Sequence, residues 1–354
     1  MRTTIKDIAK YTGFSITTIS LVLNGKAHKI PKATEEAILQ AAKELNYRPN
    51  QLAVGLVKKQ TKTLGLILSD IRNSFFANMA KSIEDECRRN GWNLILCNTN
   101  DLHEREMKYL QMLADKGVDG VLICMAREND SEKVEEMVAL MDSLNIPFVL
   151  VDRFYPEVKG CSVIVDHDEG GYLAARHLLE LGHTRIGCVG GPKDLADSNR
   201  RTQGYIRALM EKGVEFDPSL IFYGDYDLSS GVRGAEYLLK KDVTAIFAYN
   251  DMSAYGVFHY LKQQGISVPE DISLIGYDDI FFSEILSVPL TSIHQPVEEM
   301  GTEAVQQMIR IIRQKQKQDT KKKYYVSAVF GGQTEYGGSR RCNAPINASI
   351  FPAS

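Results

Sequence analysis

No stretch of this chain is apolar for the roughly 20 residues that a membrane-crossing helix needs. The opening residues, MRTTIKDIAK, lack the apolar core of a secretory leader, so a cytoplasmic protein with no membrane partner is expected. Cysteine is sparse and scattered: Cys87, Cys97, Cys124, Cys161, Cys188 and Cys342 form no CxxC and stand beside no paired-histidine spacing. That argues against a zinc site or a disulfide framework and leaves buried or partly buried thiols in a reducing compartment. Gly190-Gly191-Pro192 has neither the lysine of a phosphate-binding loop nor the glycine spacing of a dinucleotide fingerprint. The seven histidines show no metal spacing and suggest no Ser–His–acid arrangement. No metal, no cofactor and no enzymatic activity are expected.

What is present is an ordinary globular composition, 44% hydrophobic and 25% charged, in a chain of 354 residues, long enough for two or three domains. The net charge of −3 conceals an asymmetry. Residues 1–62 hold eleven Lys or Arg against four Asp or Glu, a balance of +7, which leaves −10 for the rest. A basic module on an acidic body is expected when only one part of a protein meets phosphate.

The stretch from Thr4 to Asn24 reads as two short helices around a glycine turn. Thr4 is placed to cap the first, with Asp7 in the capping-box position, and Gly13 supplies the permissive turn. Ser15 caps the second, where Ile19, Val22 and Leu23 share a face. A third helix over about Lys32 to Asn46 presents Ile38, Ala41, Ala42 and Leu45, which can close a core against Ile8 and Ile19. The geometry suggested is a helix-turn-helix. Such helix pairs also occur in domains that never touch nucleic acid, so this stretch alone leaves both readings open.

From Leu64 the texture changes to short apolar runs alternating with amphipathic helical stretches: LGLILS, NLILC, DGVLIC and PFVLV, then SVIV, RIGCVG, TAIFAY and SLIGY. Strands buried on both faces and separated by helices predict parallel sheets. One sheet of so many strands would be unusually large. Two α/β lobes are therefore expected, the second restarting at SVIV (162–165), with a further strand at YYVSAVF.

The segments TIKDIAKYTGFSITTISLVLNG, LNYRPN, GYDD and HQP, in that order, resemble the LacI/GalR family of bacterial transcription regulators from Thr4 to about Ser339. The resemblance implies an all-α helix-turn-helix head on a two-lobed, periplasmic-binding-protein-like α/β body with flavodoxin-like lobes. The expected boundaries are 1–48 for the head, 49–62 for a hinge helix and linker, 63–340 for the effector-binding and dimerisation body, and 341–354 for a disordered tail. The implied partners are double-stranded operator DNA, a small sugar effector and a second copy of the chain, with any corepressor protein unspecified.

Carried onto these positions, the resemblance implies that Ile16, Thr17 and Leu21 face base edges, and that Thr4, Ser15, Ser20, Asn24, Thr34 and Tyr47 meet phosphates. Leu21 stands where many relatives carry Arg or His. None of the three readers can make a bidentate contact to guanine, so thymine methyls are the expected target, with Leu21 as a packing residue the alternative. Lys26, His28 and Lys29 lie in a turn one residue longer than that of the lactose repressor. Pro31 replaces the usual serine cap of the third helix. Leu56, in the segment matching a hinge helix, corresponds to a minor-groove wedge, and a plain linker is the alternative there.

Polar and aromatic residues recur after the strands. Asn73, Phe75 and Phe76 follow the first, Asp152 and Arg153 follow PFVLV, and Arg201 opens a helix after RIGCVGG. Asn250 and Asp251 follow TAIFAY, Asp278 follows SLIGY, and Gln295 lies in a return crossing. Aromatic faces with converging amides, carboxylates and guanidinium groups suit a sugar. The set (Asn73, Phe75, Phe76, Asp152, Arg153, Arg201, Asn250, Asp278 and Gln295) is similar to that of the ribose-binding protein group. That implies ribose or another pentose first, with a fructoside, sucrose, a hexose or a non-sugar effector as alternatives. A transport receptor or an enzyme on the same scaffold is the remote one.

Overall fold

The computed structural model describes residues 3–47, 60–127, 131–155, 158, 160–314, 322–326 and 329–331. The chain divides into two compact units, residues 1–62 and 63–354.

The first unit holds three helices: α1 (Ile5–Thr12), α2 (Ile16–Leu23) and α3 (Lys32–Glu44). The Asp7 carboxylate accepts the Thr4 N–H at 2.8 Å and the Thr4 hydroxyl at 2.7 Å, tying down the start of α1. Gly13 stops α1 at φ 75°, in the left-handed region that glycine enters without penalty. Ser15 Oγ accepts the Thr18 N–H at 3.1 Å and so caps α2. Helix α3 starts at Lys32 with Pro31 in the cap position and no side-chain cap bond. Ile8, Ile19 and Ile38 are wholly buried at the centre, with Val22, Ala41 and Ala42 around them.

The second unit contains two six-stranded sheets. In the first, β1 (Thr63–Leu68), β2 (Asn93–Asn98), β3 (Gly120–Ile123), β4 (Phe148–Val151) and β5 (Cys161–Val165) alternate with α4 (Ser74–Arg89), α5 (His103–Asp115) and α6 (Ser131–Leu144). These strands are parallel in the order 2-1-3-4-5, and β11 (Lys322–Val326) adds beside β5. The other lobe runs through α7 (His167–Glu180), β6 (Ile186–Gly190), α8 (Ala196–Glu211), β7 (Ile221–Tyr223), α9 (Leu228–Leu239), β8 (Ala245–Ala248), α10 (Asp251–Gln263), β9 (Ser273–Asp278) and β10 (Thr291–His294). It repeats the order as 7-6-8-9-10, with β12 (Val329–Gly331) antiparallel to β10. This is the flavodoxin-like order twice over, in which ligands lie beyond the carboxyl ends of the strands.

Helix α11 (Val297–Gln314) leaves the second lobe and packs on α4 of the first, where Ser82 Oγ donates to the Glu298 carbonyl at 3.0 Å. The chain thus passes between lobes after β5, after β10 and between β11 and β12. No helix among the described residues is long and apolar enough to cross a membrane. The five described cysteines are buried, and burial lifts the thiols of Cys97 to about 11 and of Cys87 to about 12.

Several expectations need correction. SVIV does not open the second lobe; as β5 it completes the first sheet, pairing with β4 and β11. Its uniform burial reads the same in either sheet, so hydrophobicity could not assign it. YYVSAVF is not one strand: β11 and β12 belong to different sheets. Strand β7, helix α9 and strand β10 were not anticipated. β7 and β10 are only three and four residues long, and Gly231 and Gly234 interrupt the helical pattern of α9. Residues 48–59, which include Leu56 and all but the last three residues of the expected 49–62 hinge and linker, and the 341–354 tail lie outside the described residues.

Candidate effector cleft and DNA-facing helix

On the head, Ile16 and Leu21 of α2 are 49% and 39% exposed, whereas Ile19 and Val22 of the same helix are buried. Periodicity explains the division: Ile19 and Val22 are three residues apart and share the core side, leaving Ile16, Thr17 and Leu21 outward. Leu21 is thus partly exposed on the side of α2 away from the head core. The residues expected at phosphate are mostly engaged within the head. The Thr4 hydroxyl donates to Asp7, and Ser15 caps α2. Asn24 donates to the Ser20 carbonyl at 2.7 Å and to its hydroxyl at 3.3 Å. Thr34 and Tyr47 are half-buried, with Tyr47 against the core. Lys26, His28 and Lys29 are exposed.

In the body, a cavity of about 600 Å³ opens beyond the carboxyl ends of both sheets, and all nine side chains expected to meet an effector line it. Eight of them come from a strand end or from the loop or helix start that follows a strand. Asn73 caps α4 by accepting the Phe75 N–H at 3.1 Å, and Phe75 and Phe76 then turn inward. Arg153 donates to the Met125 carbonyl at 2.7 Å and to Asp101, and lies 5.7 Å from the Phe76 ring centroid.

Arg201 is not at the start of its helix but one turn inside α8. Its guanidinium carbon lies over the Tyr277 ring, 3.8 Å from the centroid, and the group donates to the Tyr249 carbonyl. Burial works against its charge, yet Tyr226, Tyr277, Asp197 and Asp278 hold the group charged. Gly171 sets its depth, because a Cβ there would stand 2.1 Å from the Arg201 carbonyl oxygen. Beneath it, burial and then the charges of Arg201 and Arg200 push His167 well below the ordinary histidine value. The imidazole is neutral, so its Nδ1 accepts from Arg201 at 3.4 Å.

Asp278 accepts from Gln295 at 2.7 Å, and burial raises its carboxyl well above the usual range. Burial, and then the charge of Asp197, raise Asp152 to about 6. Asn250 reaches the cavity, but its amide donates to the Tyr226 carbonyl at 2.9 Å while its oxygen caps α10. Asp251 does not line the cavity. Its oxygens accept from Ile280 N–H, Ser283 and Ser292 at 2.6–2.9 Å, holding the ends of β9 and β10 together.

Three buried polar atoms at the cavity, Arg201 Nε, Asp197 Oδ1 and Gln295 Oε1, have no hydrogen-bond partner among the described residues. Five lining residues, Asn100, Asp101, Asp152, Tyr226 and Asp278, have φ between 54° and 114°. Left-handed backbone at non-glycine residues costs about 1–3 kcal/mol each and persists only where surroundings enforce it. For Tyr226 one enforcing group is Asn250. Another is the flank of Gly191, where a Cβ would meet the Tyr226 ring at 2.2 Å. Gly191 thus makes room for an aromatic wall.

The sequence reading missed Asp70, Arg72, Asn100, Asp101, Arg127, Asp197, Asp225, Asp227, Leu228, Ser229 and Met252, together with Tyr226. Residues 225–229 were missed because β7 was. Asp70, Asn100, Asp101 and Arg127 sit just after recognised strands, and that position was the available signal.

The profile "Bacterial regulatory proteins, lacI family" matches residues 4–50, and "Periplasmic binding proteins and sugar binding domain of LacI family" matches residues 61–329. The chain belongs to the LacI family of bacterial regulatory proteins. It is 39% identical over 316 residues to the HTH-type transcriptional repressor PurR of Aliivibrio salmonicida, covering 88% of this chain and 93% of that one. A Lac repressor bound to ONPG in the repressed state superposes with TM-score 0.83 at 25% identity, over 94% of this chain and 99% of that one. A LacI family regulator from Enterococcus faecium with bound ribose gives TM-score 0.68 at 30% identity, over 76% and 97%. A LacI-family head with this body makes a DNA-binding transcription regulator rather than an enzyme.

Proposed function

We propose that the chain is a homodimeric repressor of sugar-utilisation genes whose hold on its operator is set by a small sugar in the cleft, ribose or another pentose first. The observation that carries this reading is the convergence of all nine expected side chains on one cavity of about 600 Å³. Phe75 and Phe76 offer apolar faces for C–H surfaces of a ring, while Arg153, Arg201, Asp152, Asp278 and Gln295 offer fixed donors and acceptors for hydroxyls. The ribose bound by the Enterococcus faecium regulator supports the same choice. Hydrogen bonds to charged groups in such a cleft contribute about 1.5–3 kcal/mol each.

In this reading Ile16, Thr17 and Leu21 meet base edges in the major groove, the hinge segment at 49–57 folds on DNA, and Leu56 wedges the minor groove. Two heads then span a pseudo-palindromic site. Sugar binding changes the angle between lobes and so the dimer geometry that the heads require. Calorimetry of the full chain with pentoses, hexoses, disaccharides and nucleobases tests the effector. Saturable pentose binding that disappears in Arg153→Ala and Asp278→Ala supports the reading. Binding that survives both substitutions sinks it.

A further inference from the structure

The charges lining the cleft do not cancel, and what remains after pairing is specific. Seven aspartates and four arginines line the cavity, with no lysine or histidine among the described residues. Three arginines are already taken. Arg72 pairs with Asp70 at 2.7 Å, Arg153 with Asp101 at 2.5 Å, and Arg127 with Asp225 at 3.4 Å and Asp101 at 3.8 Å. Four carboxyls, Asp152, Asp197, Asp227 and Asp278, have no cation within 4 Å among the described residues. Of the lining arginines, Arg201 has no carboxylate within 4 Å among the described residues and lies buried on Tyr277 with Asp197 and Asp278 acting on its charge, while Arg153 also acts on Asp152 and Arg233, outside the lining, on Asp227.

The unpartnered buried atoms point the same way. Two of the three, Asp197 Oδ1 and Gln295 Oε1, are acceptors, and one, Arg201 Nε, is a donor. A hydroxyl can donate to the first two and accept from the third. A phosphate dianion only accepts, so it leaves Asp197 Oδ1 and Gln295 Oε1 without a donor, and it would stand near the Asp227 carboxylate, which its hydrogen bonds to Ser230 and Ser229 hold in the charged form.

We infer that the cleft is built for an uncharged, donor-rich ligand and rejects its phosphate ester, with Asp227 at the mouth acting as a specificity-determining carboxylate. Asp227 caps the start of α9, where its Oδ1 accepts the Ser230 N–H at 2.7 Å and the Ser229 hydroxyl at 3.0 Å, and it is one of the residues lining the cavity. The regulator then reads a free sugar pool that a phosphoryl-transfer reaction consumes. This inference rests on the cleft being the effector site, and deepens that reading by fixing ligand charge.

The test is calorimetry of the full chain with matched pairs: a free pentose and its phosphate, a free hexose and its phosphate, and a nucleoside and its nucleotide. The expected result is that the neutral member binds about 100-fold or more tighter than its ester. Asp227→Asn, in which the amide oxygen still caps α9, should narrow that ratio by about three- to tenfold. Asp227→Ser gives the same comparison with a different cap. A phosphate ester that binds as tightly as its neutral parent overturns the inference and leaves the cleft assignment standing. A nucleoside that binds where no sugar does, with its nucleotide rejected, overturns the sugar reading and leaves this inference standing. A ratio unmoved in both Asp227 variants overturns the role of that carboxylate.

Discussion

Arg127, on the loop after β3, reaches across the cleft to Asp225, on the loop after β7, donating to its carbonyl at 3.3 Å and its carboxylate at 3.4 Å. The two residues belong to different lobes, so the pair forms only while the lobes stand this close. On the inner side, Asp101 accepts both the Arg127 N–H at 3.1 Å and the Arg153 guanidinium, which lies in the cavity wall. A ligand that touches Arg153 therefore touches, one residue removed, the bridge at the mouth.

The bridge should matter for ligand retention rather than for folding. Its side chains are 37% and 55% exposed, and an ion pair so wet is worth at most about 1 kcal/mol. Arg127→Ala is expected to speed effector dissociation about two- to fivefold while moving the melting temperature by about 2 °C or less. Stopped-flow release of the bound effector checks this, and an unchanged dissociation rate would contradict it.

Asp152 predicts a pH dependence with a definite sign. Its folded carboxyl titrates near pH 6 because burial, then Asp197, disfavour its charge. An unfolded aspartate titrates near 3.9. Between those values the folded state keeps a proton that the unfolded state has released, so this group makes stability fall as pH rises from about 4 to about 6 and level off above. Asp152→Asn should reduce that slope and raise the melting temperature of the ligand-free chain at pH 7–8. Calorimetric melts across pH 4–8 measure both.

The outward apolar residues of α2 predict recognition of thymine methyls. Replacing thymines by uracils in an operator removes those methyls and nothing else. Affinity should fall by about three- to tenfold at sites facing Ile16 or Leu21. In Leu21→Ala the uracil effect should shrink, since the apolar partner is already gone. Uracil sensitivity that persists undiminished in Leu21→Ala and Ile16→Ala would remove the contact.

The head core is small, so it should fail before the body does. Ile38 is fully buried among five other core residues, and truncating such a side chain costs about 2–5 kcal/mol. Ile38→Ala should abolish operator binding while effector binding to the body, a separate compact unit, keeps its affinity. Loss of both functions together would show that the two units are not energetically distinct.

Much of this could be read before any coordinates. Thr4, Gly13 and Ser15 mark the ends of α1 and α2 by local chemistry that needs no tertiary context. The long buried strands such as β1 also announce themselves. What escaped were features that sequence does not encode locally. β5 is apolar whichever sheet it joins, and β7 is too short to show a period. Arg201 lies one turn inside its helix, at a depth set by Gly171 in another helix. Asn250 and Asp251 looked alike as polar residues after a strand. Only packing separates an amide that braces Tyr226 from a carboxylate that ties β9 to β10.

A ligand in this cleft is expected to change the grip of a head distant in sequence. Fluorescence anisotropy of the full chain on an operator selected from random duplexes, with and without the ligand found by calorimetry, tests it directly. Coupling of this kind is typically worth about 1–3 kcal/mol. Operator affinity should change by about 5- to 150-fold on ligand addition, and the change should be abolished in Arg153→Ala and Asp278→Ala. A ligand that binds the cleft and leaves operator affinity unchanged, or an operator response that persists in both variants, would contradict this expectation.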